Sequence, residues 1–153
     1  VIFANVKLQA EDNVPRLKLL GLAISTPQSG PPRLNQPCAA LDGCRCRIYA
    51  NRPRYCRDFE CLLLKKVETQ KLKTSTALEV IKTARERAEK VRHLLRDLGD
   101  ADEHLPLSLR FRRTAKKMEH GRREQAKNKT FSQLTLAVHD LNLLLSKSFY
   151  PSP

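Results

Sequence analysis

The chain has no tryptophan, and only five phenylalanines and three tyrosines among 153 residues. A core must therefore come mostly from Leu, Val, Ile and Ala. No apolar run approaches the roughly 18 residues that a membrane-crossing helix needs, so no such span is expected. No secretory leader is visible in the opening residues. Glycine is scarce, and no GxGxxG or GKS/T string exists to cradle a phosphate. No His–Asp–Ser or Cys–His set stands in a supporting context. The CxxC pair, the usual unit of zinc ribbons, is also absent. Finally, no cysteine lies outside residues 38–61.

Within that stretch stand all five cysteines, spaced Cys38-x5-Cys44-x-Cys46-x9-Cys56-x4-Cys61. Cysteines used as ordinary buried hydrophobes would be scattered. A bunched set implies shared chemistry: a metal site, an iron–sulfur cluster or disulfides. The odd count, with Cys44 and Cys46 one residue apart, argues against a tidy disulfide framework. The thiols are expected to be reduced and the compartment cytoplasmic. Six arginines, Arg33, Arg45, Arg47, Arg52, Arg54 and Arg57, lie between residues 33 and 57. A centre held by four thiolates carries net negative charge, which nearby guanidinium groups would offset while lowering the thiol pKa.

The string Ile48-Tyr49, Arg52-Pro53, Cys56-Arg57, Phe59 and Cys61, with Cys38, Leu41 and Cys46 before it, carries a resemblance. It is similar to the cysteine cluster of the YkgJ family, bacterial proteins described as zinc- or iron-chelating and related to flagellin lysine-N-methylase. The resemblance implies metal ligation by Cys38, Cys46, Cys56 and Cys61. The family pattern has a variable residue where Cys44 stands, so Cys44 is a possible fifth ligand but is expected to be a bystander. Around the ligands, Tyr49 and Phe59 are expected to wall the site from water. Arg52 and Arg57 are expected to bond loop carbonyls or acids such as Asp58. Family members carry a CxxCxxCC-like run upstream of the segment resembling Val1–Asp12. This chain opens at Val1 inside an apolar run and is expected to be a fragment or a processed chain. Intervals of four, five and nine residues, together with the methylase kinship, favour an iron–sulfur cluster or iron over zinc.

Formal net charge is +13 and uneven: residues 106–129 carry +7, residues 99–105 carry −3. Such a balance draws anionic partners. Arg110–Lys129 is the candidate surface for an acidic protein or nucleic acid, although only Phe111 offers a stacking ring and a solvated helix face is the expected reading of the charge.

The expected fold is mainly α, with a small irregular α+β cysteine-rich module at residues 1–61 and a helical region at 62–153 packed on it. Val1–Leu8 reads as a short strand. A short helix follows, with Glu11 and Asp12 at its start and Pro15 in its first turn. The four prolines of residues 25–37 read as a loop. A capping box at Thr76–Glu79 and a stripe Ile81, Ala84, Ala88, Val91, Leu95, Leu98 predict a long helix stopped at Gly99. A weaker stripe, Leu107, Phe111, Ala115, Met118 and Ala126, follows Pro106. A second capping box at Thr130–Gln133 predicts a last helix over about 131–148. The histidines His93, His104, His120 and His139 are expected on helix or loop surfaces.

Three functions are consistent with this pattern. The first is a metal-binding protein of unknown reaction. The second is a cluster-assisted protein-modifying enzyme such as a lysine N-methylase. The third is a zinc-stabilised, basic, nucleic-acid-associated protein.

Overall fold

The structure is a computed structural model that describes residues 2–120 and 125–150. The fold is mainly α with a small α+β part, and it divides into two compact units. The first comprises Val1–Phe59 with Asp102–Leu109; the second comprises Glu60–Ala101 with Arg110–Pro153. The expected boundary after residue 61 thus falls two residues earlier, and the Asp102–Leu109 segment belongs with the N-terminal unit, where Ser108 N donates to Ile2 O.

The first unit begins with β1 (Asn5–Lys7) and α1 (Val14–Leu19). Asn13 is the N-cap, its side chain accepting from Arg16 N, and Pro15 occupies the first turn as its fixed φ allows. Two further strands, β2 (Ile24–Ser25) and β3 (Arg33–Asn35), pair antiparallel in the order β1-β3-β2. The proline-rich segment is therefore not a loop throughout: β3 is the central strand. A three-residue strand between Pro32 and Pro37 is too short to show a period. Leu34, opposite Val6 and Ile24, is nonetheless fully buried. The core of this unit is small, consisting of Leu8, Leu17, Leu22, Leu34 and Ala40, with Cys38 and Cys56 packed against it.

The cysteine stretch carries a hairpin, β4 (Leu41–Asp42) and β5 (Arg45–Cys46), then a 3-10 turn (Tyr49–Asn51) and α2 (Arg54–Asp58). Gly43 opens the two-residue hairpin loop at φ 55°, the left-handed value that such a tight turn requires of its first residue.

The second unit is helical: α3 (Leu62–Glu68), α4 (Thr74–Asp97), α5 (Leu107–His120) and α6 (Gln125–Ser148), α5 starting in the first unit. Helix α4 buries Ala84, Ala88, Val91 and Leu95 and packs along α6, which contributes Leu134, Ala137, Leu141 and Leu145. The predicted stripe is thus the buried face, with Ile81 and Leu98 half-buried at its ends.

Neither capping box caps a helix. Helix α4 starts at Thr74 with Lys73 as N-cap and no side-chain cap, leaving Thr76 inside the helix. In α6, Thr130 Oγ1 donates back to Ala126 O at 3.2 Å, the bond a mid-helix threonine makes, and the helix begins at Gln125. The α5 stripe is also displaced. The buried positions are Leu107, Arg110 and Thr114, and Phe111 stays half-buried, stacked on Phe131 with centroids 6.2 Å apart.

Gly99 does end α4, at φ 79°. Gly99 N donates to Arg96 O and Asp100 N to Leu95 O, a Schellman closure that glycine adopts without strain. The residue after the glycine, usually apolar, is here Asp100, and its side chain is only 2% exposed. Arg110, 1% exposed, donates Nε–H to Asp100 Oδ1 at 2.9 Å and Nη2–H to Asp100 O at 2.7 Å. Arg113 Nη2 adds a third bond to Oδ2 at 3.0 Å. Burial pushes the Asp100 pKa up, and the Arg113 and Arg110 bonds outweigh it, so the carboxyl is held below its ordinary value.

Candidate thiolate site

Three segments of the first unit supply its half-buried thiols. Cys38 follows the cis Gln36–Pro37 bond, Cys46 closes β5, and Cys56 lies in α2. The hairpin keeps Cys46 opposite Leu41. Arg47 reinforces it, with N bonded to Ala40 O at 2.9 Å and its Nη2–H donated to Ala39 O at 2.6 Å. These bonds tie the two sides of the Cys38–Cys46 segment together.

Helix α2 is pinned from the opposite end of the unit. Asp12 Oδ1 accepts from Arg54 N at 2.7 Å, capping α2 from forty-two residues away, and Asp12 Oδ2 accepts from Gln9 N at 2.8 Å. Arg54 pairs with Glu11 at 3.0 Å, and Arg16 Nη2 donates to Asn51 Oδ1 at 2.8 Å. The α1 region therefore fixes the helix that carries Cys56. The sequence reading placed Asp12 as an acid at the start of α1. Asn13 takes that cap, which leaves the Asp12 carboxylate for α2. The signal was present in the pairing of two capping residues, Asp12 and Asn13, before one helix.

The electrostatics show the thiols as neighbours. Burial pushes the Cys56 thiol pKa up, the Cys38 and Cys46 thiols push it further, Asp12 adds to this, and Arg52 opposes it. Burial is the larger cause and the Cys38 and Cys46 thiols add to it; all three cysteines are free and half-buried. Among the described residues no three Cys, His, Asp or Glu side chains stand close enough to hold a metal ion as placed. The three thiols do not form a coordination shell as placed.

The remaining sequence candidates fall as follows. Cys44 is exposed in the hairpin loop. Cys61 is the half-buried N-cap of α3, in the second unit. Arg52 does bond a loop carbonyl: its Nε–H is donated to Tyr49 O at 2.9 Å, and its guanidinium lies 3.6 Å from the centre of the Tyr49 ring. Arg54, not Arg57, pairs with Asp58, at 3.0 Å; the i,i+4 spacing from Arg54 favours it. Tyr49 and Phe59 do not wall off a site; they are 65% and 42% exposed. His93 is exposed and bonded to Asp97 at 2.9 Å, and His104 and His139 are also exposed. The His120 side chain and residues 121–124 of the basic segment lie outside the described residues.

Comparison of the chain with protein-family models, with curated proteins and with solved structures gives no match.

Proposed function

We propose that the first unit is a thiolate metal-binding module, with Cys38, Cys46 and Cys56 as its ligands and iron or an iron–sulfur cluster preferred over zinc. The observation that carries this reading is that Cys38 and Cys56, both free and half-buried, pack against one small core, with the Cys38 and Cys46 thiols both acting on the Cys56 thiol. The donor set fits the group. Thiolates are the soft ligands that iron–sulfur clusters and zinc both take, and none of the three is committed to a disulfide.

The size of the unit supports the same reading. Five buried apolar residues and strands of two or three residues are little to hold such a module together. Small modules with weak cores commonly rely on a metal or disulfide staple. The thiols are the cross-linking groups this unit has in hand. The absence of any CxxC pair favours iron over a zinc ribbon. When bound, a cluster supplies one-electron transfer, whereas zinc supplies structural closure. The protein's own part is to draw thiols together, exclude water on the side of Leu17, Leu22 and Leu34, and bring the Arg52 charge near Cys56 to favour the thiolate.

The deciding experiment is anaerobic purification followed by iron, sulfide and zinc analysis and a visible spectrum. Iron with sulfide and absorbance near about 400 nm is expected from thiolate-bound clusters. A stoichiometric zinc content of about one makes the module a structural zinc site. Protein with neither metal overturns the reading. Cys61→Ser is run beside Cys56→Ser: the three-thiolate site predicts the larger loss of metal for Cys56→Ser.

A further inference from the structure

The four exposed aromatic rings among the described residues, Phe3, Tyr49, Tyr55 and Phe59, all belong to the first unit. In a chain so poor in aromatics this is a biased use. A unit with a small core would gain by burying them. Three of the four fall within residues 49–59 and come with arginine. Tyr55, 46% exposed, stacks on Phe59 along α2 with centroids 6.3 Å apart and planes 22° apart. The Arg52 guanidinium already lies on the Tyr49 ring, so the stretch stacks planar cations on aromatic faces.

Local charge is positive by a small margin: Arg45, Arg47, Arg52, Arg54 and Arg57 stand against Glu11, Asp12, Asp42 and Asp58. Asp58 and Glu11 are both engaged by Arg54, and Asp42 stands opposite Arg45 in the hairpin. None of these acids pairs with Arg47, Arg52 or Arg57, and the Asp12 carboxylate is held by Arg54 N and Gln9 N. Exposed rings among guanidinium groups form the pattern that holds unpaired bases. Each base stacks on a ring, and the guanidinium groups meet the phosphates. A duplex offers only phosphates, because its bases are already stacked.

We propose that Tyr49, Arg52, Tyr55, Arg57 and Phe59 form a docking surface for single-stranded nucleic acid. The surface uses no metal and none of the three thiols, and shares only Arg52 with the thiolate site.

The test uses the full chain as purified, with metal content recorded alongside. Binding of a fluorescein-labelled oligouridine of about 15 nucleotides, near the upper site size of one stacking module, is followed by anisotropy. Wild type is expected to bind at low salt and to prefer the single strand over a duplex of equal length. Tyr49→Ala and Tyr55→Ala are each expected to weaken binding about tenfold. Tyr49→Leu keeps apolar bulk without the ring and should lose as much, whereas Tyr49→Phe should bind like wild type. Arg57→Ala should weaken binding and flatten its salt dependence by about one counterion. Because the rings are exposed, circular dichroism of every variant should match wild type. Three results overturn the proposal: no binding at low salt, a duplex bound as tightly as the single strand, or ring variants that bind like wild type. The last of these would assign any binding to charge alone, for example on Arg110–Lys129.

Discussion

The two units hold themselves together by different means. The helical unit relies on repetition: α4 and α6 each place an apolar residue every three or four positions, and the two stripes bury one another. The N-terminal unit has no such repeat. Its strands are two or three residues long, and its order comes from individual bonds between residues far apart in sequence. In the helical unit many equivalent contacts share the load, so one loss is averaged. In the N-terminal unit each pin has its own task, and a group that binds several segments at once, such as a metal, would have the greatest effect. The contrast predicts that perturbations of the thiols separate the two units, whereas perturbations of helix packing do not.

The largest expected separation comes from Cys56→Ser. Metal content should fall to background. Amide protection should drop across Asn5–Lys7 and Arg33–Asn35 while α4 and α6 keep theirs, as read by hydrogen exchange. Equal loss in both units would break the comparison. The same site has a pH signature. In the metal-free protein the raised Cys56 pKa means the fold favours the protonated thiol. That contribution is present below the ordinary thiol pKa and is lost as pH rises through the folded value. Metal binding needs the thiolate and so runs the other way. Metal affinity should strengthen as pH rises, until Cys56 is fully ionised. A competition titration with a coloured chelator at several pH values reads this directly.

The next effect belongs to the helical unit, at a place where it, too, uses a single pin. Asp100→Ala removes the acid facing Arg110 and leaves a buried guanidinium unpaired, which costs about 3–5 kcal/mol in chemical denaturation. Asp100→Asn isolates its acid dependence. The Asp100 pKa is held low in the fold, so its contribution is present above the ordinary carboxyl value of about 3.9 and is lost as pH falls through the folded value. Wild type should therefore lose more stability on acidification than the Asn variant. Identical acid profiles would show that the pair contributes nothing to the fold. Metal content should stay at the wild-type level throughout.

These two cases also mark what could be read in advance. The α4 stripe was legible because a long helix repeats its signal many times, and Gly99 was legible because a glycine after such a stripe has one obvious use. Asp100 was not. An acid in the run Asp100–Glu103 looks solvated, and only the Schellman geometry turns it inward towards Arg110. Strand β3 was hidden because a three-residue strand between prolines carries no period. The capping boxes misled because a threonine followed three positions later by Glu or Gln also fits a helix interior, where Thr130 bonds back to Ala126. Of the site, the cysteines could be read from their bunching. The pins could not, since Asp12 and Arg54 are forty-two residues apart and nothing local links them.

A smaller effect is expected from Asp12→Ala. It removes the acceptor for Arg54 N and Gln9 N, a loss comparable to that of a helix cap, about 1–2 kcal/mol. It also removes a negative charge that raises the Cys56 pKa. A purely structural role would lower stability and leave the thiol pKa where it was. The pinning role predicts a shift in both, with Cys56 alkylation rates against pH as the second readout. Metal affinity should fall because α2 is no longer fixed, even though a freer thiolate alone would raise it. A rise in affinity would show that the charge of Asp12 matters more than its hold on the helix.

The smallest effect is the most specific. Cys44 sits one residue after Gly43 in the hairpin loop, exposed, and it does not appear among the groups that shift Cys56. Its neighbour Cys46, two residues on, does. A change at Cys44 touches neither the Leu41–Cys46 pairing nor the Arg47 bonds that hold the hairpin. Cys44→Ser should therefore leave stability within about 0.5 kcal/mol, as for most surface substitutions, and leave metal content unchanged. Loss of most of the metal in this variant would move the binding site to the tip of the hairpin. The burial of Cys56 would then reflect packing against the small core and not ligation.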